Sequence, residues 1–96
     1  MKAYELLLFF NPTLSDDERA AALERVQSLI RDGGSTLESV DEWGKRKLAY
    51  EIDKLTDGDY VLFEFSAQPD AIAEIDRVLR ITDAVVRFII VQREDQ

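Results

Sequence analysis

The chain has 96 residues, no cysteine, no histidine, and a formal net charge of -8 from 12 Lys plus Arg against 20 Asp plus Glu. At 46% hydrophobic and 33% charged, it has the make-up of one compact domain, read as residues 1–96, rather than of a disordered chain. These counts exclude an imidazole base, a thiolate nucleophile, a Cys/His zinc site and a disulfide framework, and no apolar run approaches the roughly 20 residues of a membrane helix.

In chain order, MKAYELLLFF is a short apolar run interrupted by Glu5 and followed by Asn11-Pro12 instead of a small-residue cleavage site. It reads as a strand and not as a signal peptide. Lys2 to Phe10 is apolar on both faces, with Tyr4, Leu6, Leu8 and Phe10 on one and Leu7 and Phe9 on the other, which predicts an interior strand. Ser15-Asp16-Asp17-Glu18 forms a capping box for a helix, and acids in its first turn suit the helix dipole. Leu23, Val26 and Ile30 make its apolar stripe, and Gly33-Gly34 supplies the stop. An extended stretch follows from Thr36 to Ile52, then a hairpin turn at Leu55-Thr56-Asp57-Gly58 and a strand from Tyr60 to Phe65. Pro69-Asp70 opens a second helix with Ile72, Ile75 and Leu79 facing inward. Ala84 to Val91 is the last strand. The β-α-β-β-α-β order predicts an α+β, ferredoxin-like sandwich, a four-stranded antiparallel sheet with two helices on one face and the first and third strands central.

Net negative charge opposes non-specific nucleic-acid binding, so a nucleic-acid site on this chain has to be a local basic patch. The third strand, DGDYVLFEF, does not carry the aromatic pattern of the RNA-recognition module of similar topology, because Asp57 stands where a cation belongs and Asp59 where the first aromatic belongs. None of the glycines forms a phosphate-cradling loop. A small-molecule-binding regulatory domain stays open on topology alone.

The stretch WGKRKLAYEI concentrates Lys45, Arg46 and Lys47 beside Trp43. With a hairpin centred near Leu55-Thr56, Lys47 lies across from Glu64 and Lys45 near Ser66. The basic segment would then converge with Lys2, Tyr4 and Arg93 at one end of the sheet, a geometry suited to several phosphate contacts plus one aromatic contact. The plainer reading pairs Lys47 with Glu64 for a fraction of a kcal/mol, uses the charges to protect an edge, and assigns Arg77 and Arg80 to the dipole of the second helix. The residues alone leave the two readings open.

Tyr4-Glu5, Asn11-Pro12, Trp43 to Tyr50, Gly58-Asp59-Tyr60 and Leu79 to Arg87, in that order, resemble the bacterial small-subunit ribosomal protein S-six (S6) family over nearly the whole chain. Glu51 departs from members that carry Pro there, and this sequence stops at Gln96 where some members continue in a longer acidic tail. The resemblance implies a non-enzymatic constituent of the small ribosomal subunit, without cofactor or metal. Such a protein binds the central domain of small-subunit ribosomal RNA cooperatively with ribosomal protein S-eighteen (S18), which packs against the sheet side. It implies no DNA and no membrane, and a cytoplasmic ribosome, with no transit peptide but with an organellar ribosome left open. The expected RNA-binding residues are Lys2, Tyr4, Lys45, Arg46, Lys47, Arg80, Arg87 and Arg93. Arg46 leads because it holds the family's arginine position and can grip phosphate bidentately.

Overall fold

A computed structural model describes the backbone of residues 1–52 and 55–93 and the side chains of residues 1–42 and 59–93. The elements are β1 (Lys2–Phe10), α1 (Asp16–Asp32), β2 (Thr36–Ile52), β3 (Leu55–Ala67), α2 (Pro69–Arg80) and β4 (Val85–Gln92). The four strands form one antiparallel sheet in the order β2-β3-β1-β4. This is the expected ferredoxin-like sandwich, with β1 and β3 in the middle.

Local chemistry accounts for the element ends. The Ser15 hydroxyl accepts from the Glu18 amide while the Glu18 carboxylate accepts from the Ser15 amide, so two free N–H groups at the start of α1 are satisfied reciprocally. At its end the amide of Gly34 donates to the Arg31 carbonyl, and Gly34 has φ +86°, a left-handed conformation that glycine adopts without a Cβ penalty. Pro69 occupies the first turn of α2, where its missing N–H costs nothing.

The alternation in β1 divides the two faces. Tyr4, Leu6, Leu8 and Phe10 join Val61, Phe63, Phe65 and Ala67 of β3 in a core completed by Ala22, Val26 and Ile30 of α1 and Ile75 and Leu79 of α2. Leu23 and Ile72, expected in the helix stripes, are half-buried at its margin. On the helix-free face Phe9 stacks on Tyr60, ring centroids 4.8 Å apart, and both are buried. Further along that face Leu7 is registered with Leu62 on one side and Ile89 on the other, and Ile89 and Val91 are exposed.

The hairpin differs from expectation. Ile52 pairs with Leu55, so the chain turns before Leu55-Thr56, and β3 runs from Leu55 to Ala67 where a shorter strand from Tyr60 to Phe65 was expected. The ladder is also irregular at three places, between Leu37 and Ser39, Glu42 and Gly44, and Lys47 and Ile52. In consequence Lys47 pairs with Asp57 and Lys45 with Asp59. Lys47 is thus seven positions along β3 from the expected Glu64, which at roughly 3.3 Å per residue is a displacement of about 23 Å.

Candidate nucleic-acid interface

The basic segment straddles the point where the sheet narrows. Phe10 is the last residue of β1, and it pairs with Asp59, which pairs with Lys45. Lys45 is therefore in the last row backed by β1. Arg46 and Lys47 lie in rows beyond it, paired with Gly58 and Asp57, where among the described residues β2 and β3 pair only with each other. The triplet sits at the root of a projecting two-stranded ribbon. The side chains of Trp43, Lys45, Arg46 and Lys47 lie outside the described residues.

This placement corrects the expected convergence. Lys2 pairs with Ala67, Tyr4 with Gln92, and the Arg93 amide donates to the Ala3 carbonyl, all at the opposite end of the sheet from Lys45. The guanidinium of Arg93 lies 3.8 Å from the Glu5 carboxylate and 3.6 Å from that of Glu64, and Ser39 donates to Glu64 at 2.7 Å. Glu64 is thus engaged by groups other than Lys47. Tyr4 is corrected as well. Its residue is 6% exposed and its ring stacks on Phe65 within the core, leaving no face for a base. Lys2 is exposed. Arg80 is exposed but donates to Asp76 at 2.6 Å, with its guanidinium over the Phe88 ring.

Arg87 is brought toward the basic segment. It is exposed on β4 and registered with Phe9, which is registered with Tyr60, which is registered with Gly44. One row therefore carries Arg87, the stacked Phe9–Tyr60 pair and Gly44, with Lys45 in the next. Three strand spacings of roughly 4.8 Å separate the ends of the row, about 14 Å. That is within the span of a few nucleotides of backbone.

Sequence reading missed the group beneath this row. Asp59 is nearly fully buried, and its carboxylate accepts from Nε and Nη2 of Arg19, the latter at 3.0 Å. Nη1 of the same guanidinium donates to Glu42 at 2.9 Å, and the group lies over the Phe10 ring at 5.5 Å. The hydrogen bond to Asp59, opposed by burial and reinforced by Glu42, raises the Arg19 pKa above the ordinary arginine value. A signal was available. Asp59 shares the alternation of Val61, Phe63 and Phe65, so it is an acid in a core-facing phase and requires a cation. Arg19 lies on the helix face of Ala22, Val26 and Ile30.

Comparison with known proteins agrees with this architecture. Residues 3–92 match the model of the family described as Ribosomal protein S6. The chain belongs to the ribosomal protein S6 family. It is 46% identical over 94 residues to the small ribosomal subunit protein bS6 of Clostridium beijerinckii, covering 98% of this chain and 99% of the relative. It is 44% identical over 95 residues to the bS6 of Caldanaerobacter subterraneus subsp. tengcongensis, covering 99% and 100%. The crystal structure of 30S ribosomal protein S6 from Thermotoga maritima superposes with a TM-score of 0.85 at 29% identity, covering 96% of this chain and 87% of that one. An S6-family chain is a structural protein of the small ribosomal subunit, not an enzyme. Among the described residues no helix is long and apolar enough to cross a membrane.

Proposed function

We propose that this S6-family chain binds the central domain of small-subunit ribosomal RNA through the root of its β2–β3 ribbon, jointly with ribosomal protein S18, on the cytoplasmic ribosome. The observation that carries the reading is the placement of Lys45, Arg46 and Lys47 where the sheet narrows to two strands. A ribbon projecting past its neighbours can approach a phosphate backbone without bringing the acidic helices with it. Arg46 and Arg87 are the leading contacts, since a guanidinium can grip phosphate bidentately. Lys2 and Arg93 belong to the reading only as separate contacts at the far end of the sheet, whereas Arg80 lines the same groove as Arg87.

The helix-free face supports a protein partner. Ile89 and Val91 stand exposed beside Leu7 and Leu62, with Glu5 and Glu64 among them. An apolar strip set with carboxylates suits a basic protein surface, and the chain's net charge of -8 steers such a partner toward it.

The test is binding to a central-domain RNA fragment, with and without S18, over a range of salt concentrations. Tight binding that needs S18 and weakens with salt is expected. Replacing Lys45, Arg46 and Lys47 by Ala should flatten log Kd against log salt by roughly 0.7–0.9 for each phosphate that is no longer neutralised. An unchanged slope would place the RNA site elsewhere on the chain.

A further inference from the structure

The ribbon that carries the basic triplet extends past the rest of the sheet. From Arg46–Gly58 outward, β2 and β3 pair only with each other among the described residues, and an isolated two-stranded hairpin is marginally stable in water. Its direction also has to be set at the root. Between Glu42 and Gly44 the ladder admits one extra residue on β2, a bulge of the kind that bends a strand and increases its twist.

At that root one side chain holds both strands. Arg19, from α1, donates twice to Asp59 on β3 and once to Glu42 on β2. Glu42 immediately precedes the irregularity, and Asp59 is the residue paired with Lys45. The planar guanidinium fits this arrangement, because its donors diverge at fixed angles toward two carboxylates. A lysine would keep the charge but not the fork. Arg19 is itself fixed by the Phe10 ring below it and by its position in a helix packed on the core.

The geometry points to Arg19 as a positioning residue for the RNA-binding ribbon, clamping its two strands to α1 and so setting the direction in which Lys45, Arg46 and Lys47 are presented. This inference rests on the proposed RNA-binding reading of the ribbon. It assigns Arg19 no role in touching phosphate, since its guanidinium is held by three hydrogen bonds to Asp59 and Glu42.

Two kinds of measurement separate the clamp from the RNA site. Trp43 is the sole tryptophan and lies at the root, so its fluorescence anisotropy, together with amide exchange over residues 44–58, reports the ribbon in the full chain without RNA. Arg19→Lys should remain folded by circular dichroism, lower the Trp43 anisotropy, and speed ribbon amide exchange by about tenfold, as expected when one charge-assisted hydrogen bond is removed. RNA affinity should fall with the salt slope unchanged, because the ribbon is presented poorly while its cations remain. Glu42→Gln, which leaves the buried Arg19–Asp59 pair in place, should act in the same direction with smaller size. It carries the test if Arg19→Lys fails to fold.

Unchanged ribbon exchange in both variants would overturn the clamp. A loosened ribbon with undiminished RNA affinity would overturn the positioning role. If replacing Lys45, Arg46 and Lys47 by Ala leaves RNA binding intact, the RNA-binding reading of the ribbon falls and the positioning role with it. The clamp is then judged by exchange and anisotropy alone.

Discussion

Truncating the two partners of the Arg19–Asp59 pair should have unequal costs, and the inequality follows from burial. The Asp59 side chain is 5% exposed and that of Arg19 is 23% exposed. Arg19→Ala leaves a carboxylate in the core margin with neither guanidinium nor ready access to water. Breaking a buried pair in this way costs roughly 3–5 kcal/mol. Because the guanidinium is partly open to solvent, water can enter part of the vacated space, and the lower end, about 3 kcal/mol, is expected. For a chain of this size that lowers Tm by about 12–24 °C, at roughly 4–8 °C per kcal/mol.

Asp59→Ala leaves the opposite orphan. Arg19 keeps Glu42 at 2.9 Å and can turn toward water, so the expected cost is about 1–2 kcal/mol, close to that of the missing charge-assisted hydrogen bonds. The double variant removes the orphan altogether and should be more stable than Arg19→Ala alone. Urea unfolding followed by circular dichroism gives all three values, and the cycle gives their coupling. A larger loss for Asp59→Ala than for Arg19→Ala, or losses under about 0.5 kcal/mol for both, would refute the argument that burial of the carboxylate sets the cost. Arg19 should not titrate in the working range. With its folded pKa raised, Arg19 contributes stability that is fully present below the ordinary arginine value and is lost only as pH rises through the higher folded one.

Four further outcomes are expected. Ser15→Ala removes the side-chain acceptor of the capping box and should cost about 1 kcal/mol in urea unfolding. Leu6→Ala empties a fully buried site between sheet and helices and should cost roughly 2–5 kcal/mol by the same assay. The Glu74 carboxyl, held down by its hydrogen bonds from Arg77, should titrate below the ordinary glutamate value in a carboxyl-carbon NMR titration and return toward it in Arg77→Ala. Any stability the pair adds is present above the ordinary value and fades as pH falls through the lowered one. Ile89→Ser should leave the free chain within about 0.5 kcal/mol of its starting stability, as expected at an exposed position. It should nonetheless weaken S18 binding in calorimetry if that face is the partner's seat.

Much of the fold was legible because burial imposes simple periods. Two-sided apolarity placed β1 inside the sheet, and the Ser15–Glu18 box and Pro69 marked both helix starts, each where a specific backbone donor had to be satisfied or was absent. The same alternation put Tyr4 in phase with Leu6, Leu8 and Phe10, which is the core phase. Its burial is therefore readable from the sequence. The register of the hairpin was less accessible. Thr56-Asp57-Gly58 has the composition of a turn, yet Gly58 lies within the ladder opposite Arg46. A bulge adds a residue to one strand without a mark in composition, and three irregularities between Leu37 and Ile52 shift the pairing progressively. Alternation within a strand survives such shifts, but the partner across the sheet does not.

The charge distribution explains how an acidic chain can serve an RNA particle. Between Trp43 and Gly58 lie four cations, Lys45, Arg46, Lys47 and Lys54, against three acids, Glu51, Asp53 and Asp57; the rest of the chain holds eight cations against seventeen acids. Among those eight, Arg19, Arg31, Arg77, Arg80 and Arg93 lie within ion-pair distance of carboxylates. The body is thus strongly negative and has most of its arginines already engaged, while the ribbon is slightly positive and projects from it. At physiological salt the Debye length is about 8 Å, so phosphates meeting the ribbon tip are largely screened from acids more than one such length away, while those near the root are not. Ribbon length is then an electrostatic variable, because it sets how far its cations stand from the body's acids. Raising salt would screen phosphate from the acids near the root as well as weaken the attraction between phosphate and the ribbon's cations. The acidic body should therefore make the observed salt slope shallower than the phosphates neutralised by the ribbon alone imply.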